Sequence, residues 1–187
     1  TDATPGQSNG TVDITVSGGT PCATSVQVGS GTTASYTSYL WYTWYMDGRT
    51  QLTYTAAELA ALGMTAGDII DELGWNILSQ TGAAATTLMN GANMTVNGVN
   101  VWSGNYQAVL GMNNFVFSTP VTYTGGDLVV EWCFDNASYV SGNNLFESTV
   151  TPGTMSQYAD LVSASGCGLT ALVARNDRPN AYIGFQA

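Results

Sequence analysis

The sequence contains no histidine, no lysine and only three arginines: Arg49, Arg175 and Arg178. Without histidine, neither a Ser-His-Asp nor a Cys-His arrangement can be assembled, and a zinc centre with an imidazole ligand is excluded. Without lysine there is no Schiff-base chemistry, and no Lys-to-Asn isopeptide bond of the kind that welds some surface pili. Thirteen acidic residues leave a formal net charge of −10. Groups able to neutralise phosphate are thus nearly absent, and nucleic acid and anionic membrane are poor partners. No stretch approaches the run of about 20 apolar residues that spans a bilayer, so the chain is not membrane-spanning by a helix.

Charge of either sign is scarce. Charged residues make up 9% of the chain, against about 25% in an ordinary soluble domain. The 54 positions from 73 to 126 carry none. Two explanations stand side by side: a secreted β-protein with a neutral polar surface, or a surface covered by neighbouring subunits, since interface cores are depleted in charge. Cysteine is scarce as well. Cys22, Cys133 and Cys167 lie too far apart for a zinc pattern, which leaves one disulfide and one remaining thiol. The chain opens on Thr1 rather than Met, as expected of an exported chain whose signal has been removed.

What is present reads as β-structure. At 187 residues there is room for one substantial domain and an extension. The boundaries fall at 1–22 for the extension and 23–187 for a sandwich. Within the extension, Thr11 to Val16 alternates apolar Val12, Ile14 and Val16 with polar residues and ends at Ser17-Gly18-Gly19, the pattern of a strand with one buried face. Leu40 to Met46 reads as an aromatic strand with Leu40, Tyr42, Trp44 and Met46 on one face and Trp41, Thr43 and Tyr45 on the other. Thr55-Ala-Ala-Glu58 is a capping box, predicting one short helix with Leu59 and Leu62 facing inward and Gly63 closing it. Further strands are expected at 69–78, 94–102 with a bend at Asn97-Gly98, 113–118, 128–134, 145–149, 172–175 and 181–185. Gly125-Gly126-Asp127 predicts a hairpin turn between Val121–Tyr123 and the strand at Leu128. Turn signals every eight to twelve residues mark an all-β sandwich or barrel.

From Tyr54 onward the landmarks DGRTQLTYTAAELAALGMTAGDI, GWNI, MNGANM, VWSGNYQAVLGMNNFVFSTPVTYTGGDLVVEWCFDN, ASGCG and NDRPNAYIGF together resemble a β-sandwich module of secreted and surface proteins of Bacteroidetes. The resemblance spans roughly residues 30 to 187. It implies a jelly-roll-like sandwich, a secreted or cell-surface location, a Cys133 to Cys167 bridge and no catalysis. A bridge there would stabilise the fold by about 3 to 4 kcal/mol on the loop-entropy model and leave Cys22 as the odd thiol. The opening NGTVDITVSGGTP resembles the first strand of short adhesin repeats of gliding Bacteroidetes, without the aromatic second strand that follows it there. The segment from Met94 to Val101 is shorter than in the sandwich family, with room for one strand fewer.

Both departures are met by one expectation: Val12, Ile14 and Val16 anchor the N-terminal strand on a neighbouring copy, and a head-to-tail series of such contacts builds a homopolymer. The alternative is that residues 9–17 fold back onto their own sandwich. A different functional expectation is a non-catalytic carbohydrate-binding module, with Trp41, Trp44, Tyr45 or Trp102 stacking on sugar rings of a glycan or cell surface. Glu131 and Glu147 are the best carboxylate pair for glycoside hydrolysis, but Glu131 shares a strand face with Val129 and Cys133 and is read as a carboxylate satisfied by Arg49 or Arg178. Asp135-Asn136, Asn143-Asn144 and Asn176-Asp177 offer oxygen ligands for calcium without any EF-hand spacing. No catalytic residue, metal ligand or cofactor is assigned.

Overall fold

The computed structural model describes residues 24–187. The N-terminal strand with Val12, Ile14 and Val16, and Cys22, lie outside the described residues. The strands in chain order are β1 (Thr24–Val28), β2 (Thr33–Ser35), β3 (Asp47–Tyr54), β4 (Ile69–Gln80), β5 (Leu88–Val96), β6 (Val99–Gln107) and β7 (Gly111–Thr122). They continue with β8 (Leu128–Asp135), β9 (Asn144–Thr149), β10 (Thr154–Ala159), β11 (Val173–Arg175), β12 (Arg178–Pro179) and β13 (Ala181–Gln186). One α-helix, α1 (Ala56–Ala61), follows β3.

These strands form two antiparallel sheets packed face to face, an all-β sandwich. In the first, β4 is flanked by β7 on one edge; β13 covers Ile69 to Trp75 on the other, and β9 takes over from Ile77 to Gln80. Outside them lie β1, on β13, and β2, on β9. The second sheet runs β11-β10-β3-β8-β5-β6. Alternation decides what each strand buries: Leu52 and Tyr54 of β3, Val130 and Trp132 of β8, and Leu73, Trp75 and Ile77 of β4 all face the core.

Several local expectations hold and several are corrected. The capping box is formed: Thr55 Oγ1 accepts from Glu58 N at 3.3 Å and Glu58 Oε2 accepts from Thr55 N at 2.9 Å. Gly63 adopts φ +89, the left-handed closing conformation. Leu59 is buried, but Leu62 is exposed, and Met64 fills the inward position instead. Asn97-Gly98 is not a bend within one strand. It is the two-residue turn of the β5–β6 hairpin, both residues at positive φ, because a primed turn matches the strand twist. Gly125-Gly126-Asp127 does turn the chain, yet it makes no hairpin: Val121 and Thr122 pair with β4 in the first sheet, whereas β8 pairs with β3 in the second. The stretch Leu40 to Met46 is a run of turns rather than a strand, from which both Leu40 and Trp41 enter the core at 1% exposure.

The Cys133–Cys167 disulfide is formed. It ties the segment 160–172 across the outer face of the second sheet, where Arg49 Nη1 donates to Leu169 O at 2.7 Å and Gln157 Oε1 accepts from Ala171 N at 2.7 Å. Gly166 is required there: a Cβ would fall 2.2 Å from the Phe134 carbonyl. At one end of the sandwich, α1 is held by Arg178, which is buried, donates to Thr53 O at 2.6 Å and pairs with Glu58. The hydrogen bonds from Arg178 lower the Glu58 carboxyl to about 2. Because the folded value lies below the unfolded one, this contribution is complete above roughly pH 4.5 and lost as pH falls toward 2. Thermal unfolding of the wild type and Glu58→Gln over this range should show the wild-type melting temperature falling more steeply with acid, the two curves converging near the lower limit.

Candidate functional site

The side of the sandwich bounded by β6 and β7 is closed, with Ser118 Oγ donating to Val101 O at 2.9 Å. The opposite side, between β1–β2 of one sheet and β10–β11 of the other, is crossed by the turns of residues 36–46. Tyrosine recurs there at every third position, 36, 39, 42 and 45, and the Tyr39 N to Tyr36 O bond of 2.9 Å shows the three-residue step of the backbone. The rings therefore gather on one side, around Tyr158 of β10. Centroids lie 6.2 Å apart for Tyr36–Tyr39, 4.6 Å for Tyr39–Tyr42 and 6.1 Å for Tyr42–Tyr45. Tyr158 sits 5.2 Å from Tyr39, 5.2 Å from Tyr42 and 4.3 Å from Tyr45. The Arg175 guanidinium lies over the Tyr39 ring at 4.4 Å, a cation–π contact, and its Nε donates to Ser156 Oγ at 2.7 Å.

This aromatic wall is partly exposed, with Tyr36 at 42%. Tyr39 holds φ +56, a left-handed conformation that costs a non-glycine residue about 1–2 kcal/mol. Thr50 Oγ1, donating to Tyr39 O at 3.0 Å, and the surrounding rings hold it there. Burial pushes the Tyr42 phenol up to about 12, with the neighbouring phenols adding to it. Burial also raises Tyr39, with Arg175 pulling the other way. Both shifts keep the Tyr39 and Tyr42 phenols neutral near pH 7. The hydroxyls of Tyr54, Tyr106, Tyr123 and Tyr182 are spent on protein partners. Those of the wall have none among the described residues.

The expected sugar-stacking residues separate. Tyr45 belongs to the wall, whereas Trp44 is exposed at 42% in the same run of turns and stacks on no ring among the described residues. Trp41 is buried, its ring between Trp75, Phe115 and Phe146 of the first sheet and Trp132 and Tyr106 of the second, with centroids at 5.1–5.9 Å. It is unavailable to a ligand. Trp102 has one face stacked on Trp132 at 5.5 Å, and it lies on the closed side, away from the wall. The tyrosine series escaped a reading in steps of two; its signal was the step of three.

Glu131 and Glu147 are not brought together. Glu131 lies on the outer face of the second sheet, taken by Arg49 at 2.8 Å and Gln51 at 2.8 Å. Glu147 lies on the outer face of the first, accepting from Asn76 and Tyr182 at 3.0 Å each. The sandwich stands between them, so they cannot flank one glycosidic bond. The three candidate calcium segments are likewise apart. Asn136 Oδ1 accepts from Asn90 N at 2.8 Å, Asn144 is held by Gln80 and Trp41 O, and Asp177 accepts from Thr37.

No family model matches this sequence, and no curated protein or solved structure matches it either. Among the described residues no helix is long and apolar enough to cross a membrane. The different duties of two neighbouring tryptophans give a direct check. Trp41→Ala should destabilise the fold by about 3–5 kcal/mol and Trp44→Ala by less than about 0.5 kcal/mol, as measured by chemical denaturation.

Proposed function

We propose that the chain is a structural subunit of an extracellular filament or surface adhesin, joined to a neighbouring copy by its N-terminal strand. The observation that supports this most is the nature of the edge at β1, which has no outer neighbour among the described residues. Strand β1 is outermost on its sheet and carries no charged residue and no proline, whereas exposed edges are ordinarily blunted by lysine, proline or bulges. It is also the strand that the N-terminal segment enters directly. An extended segment with Val12, Ile14 and Val16 alternating meets the requirement for strand addition: main-chain hydrogen bonds for register and every second side chain for packing. The tyrosine wall, beside β2 and β10 on the same side of the sandwich, has the Tyr and Arg composition of interface hot spots.

Burying the three anchors is worth roughly 5 to 8 kcal/mol before ordering costs. Deleting residues 1–20, or substituting Ile14→Asp, should abolish fibres under negative-stain microscopy and leave the sandwich's melting transition in place. Fibres from the truncated chain would sink the reading.

A second reading, a carbohydrate-binding module, is favoured by the wall's tyrosine rings, whose hydroxyls have no partner among the described residues and suit neutral sugars. A glycan array decides it. Binding that is lost in Tyr45→Ala, shown by a protein that forms no fibres, would put this reading first.

A further inference from the structure

Tyr45 and Tyr158 are the closest ring pair of the wall, with centroids 4.3 Å apart and planes tilted by 39°. They come from distant parts of the chain, one from a turn and the other from β10. The wall's other contacts are looser or more steeply crossed. Tyr39 and Tyr42 stand at 4.6 Å but cross at 73°, Tyr42 and Tyr158 lie at 5.2 Å and 63°, and Tyr39 and Tyr158 at 5.2 Å and 47°. Tyr42 and Tyr45 are as flat to each other as the closest pair, yet 6.1 Å apart. A steep crossing sets the edge of one ring on the face of another. A low tilt at short range instead lays the carbons of one ring over those of its partner, so that their π orbitals point at one another.

Both residues are partly exposed, and their hydroxyls are among those of the wall without a partner. The Arg175 guanidinium stands 4.4 Å from the Tyr39 centroid and 5.7 Å from that of Tyr158. A cation over a ring face holds the ring's electrons, which makes an electron harder to remove from Tyr39 than from Tyr158. Tyr139 is more exposed, at 61%, but stacks on no ring among the described residues.

We propose that Tyr45 and Tyr158 form a modification site, at which a peroxidase-type oxidant working with hydrogen peroxide couples the two rings into an intramolecular dityrosine. Each phenol gives up one electron and its hydroxyl proton. The two radicals pair their electrons in one carbon–carbon bond between positions ortho to the oxygens, and the hydrogens on those carbons move to the oxygens as the rings regain aromaticity. One hydrogen peroxide takes up the two electrons and two protons, its O–O bond breaking, and leaves as two waters. Rings already in contact need no second encounter, so coupling within the chain outruns coupling between chains. In a chain without lysine, this is a covalent fastening that its side chains still permit. Along β10 the turns of 36–45 are met by rings, and Met46 N donates to Asp160 Oδ1 at 3.1 Å only beyond the strand's end. The bond would fix the turns to the strand and, like any cross-link, restrain the unfolded chain. It forms within one copy and stands apart from strand addition between copies.

The test treats the dilute full chain with a haem peroxidase and one equivalent of hydrogen peroxide. The wild-type monomer should gain dityrosine fluorescence, lose the mass of two hydrogens and melt at a higher temperature. After reduction of the disulfide, its peptide map should join the peptide of Tyr45 to that of Tyr158. Tyr45→Phe and Tyr158→Phe keep the rings and break no hydrogen bond among the described residues, so before treatment they should melt as the wild type does. Each should lose the monomer's fluorescence, whereas Tyr139→Phe should keep it. A wild-type monomer without dityrosine, a product made only of covalent dimers, or monomer fluorescence that persists in either Tyr45→Phe or Tyr158→Phe overturns the proposal.

Discussion

The two sheets depend on a side chain that belongs to neither. Trp41 enters the core from a run of turns and meets aromatic rings of both layers, Trp75, Phe115 and Phe146 on one side and Tyr106 and Trp132 on the other. Facing sheets pack about 10 Å apart, and an indole spans much of that gap. The insertion has a cost: the indole N–H of Trp41 finds no partner among the described residues, nor does that of Trp132, and an unmet buried donor costs about 1–3 kcal/mol. A fully buried aromatic of this size offsets that, and its edge-to-face contacts add to the offset. The consequence reaches the surface. With Leu40 and Trp41 anchored inside, the turns around them are fixed, and Tyr36, Tyr39, Tyr42 and Tyr45 are left standing outside in a row against Tyr158.

Scarcity of charge is organised rather than uniform. The few cations act as internal tethers: Arg49 holds Glu131 and the disulfide-bound segment, Arg178 holds the helix through Glu58 and Thr53 O, and Arg175 braces Tyr39. The uncharged span from 73 to 126 folds into most of β4 and all of β5, β6 and β7. It therefore supplies one whole side of the sandwich, and that side closes on itself. On the other side the neutral edge strand β1 is not closed by a neighbour among the described residues. Neutrality is harmless where edges meet and becomes an opportunity for pairing where they do not.

What could be read in the sequence was what depends on near neighbours. The capping box at Thr55 and Glu58 involves residues three apart, and alternation in β8 was enough to turn Glu131 outward toward Arg49. Leu40–Met46 misled because aromatic residues favour strands, whereas what fixes the turns is the packing of Leu40 and Trp41 against residues far away in sequence. At Asn97-Gly98 the turn chemistry was visible and its strength underrated. At Gly125-Gly126-Asp127 the turn was right and the destination wrong, because which sheet a strand joins is settled by contacts far away in sequence.

Geometry constrains how the two surface features can be used together. Residues 17–23 separate Val16 from β1, and seven extended residues reach at most about 25 Å. A neighbour that receives the strand at its own edge must bring that edge within this distance of Thr24, so the open sides of adjoining copies come close. The tyrosine wall lies on the same open side, between β2 and β10. Assembly through the strand would therefore bring the wall to the junction, where its rings lose water against protein, and a copy engaged in this way has less of the wall to offer a sugar. The two functional readings compete for one side of the molecule: strand addition draws on both the neutral edge and the Tyr and Arg cluster, whereas glycan binding explains the cluster alone.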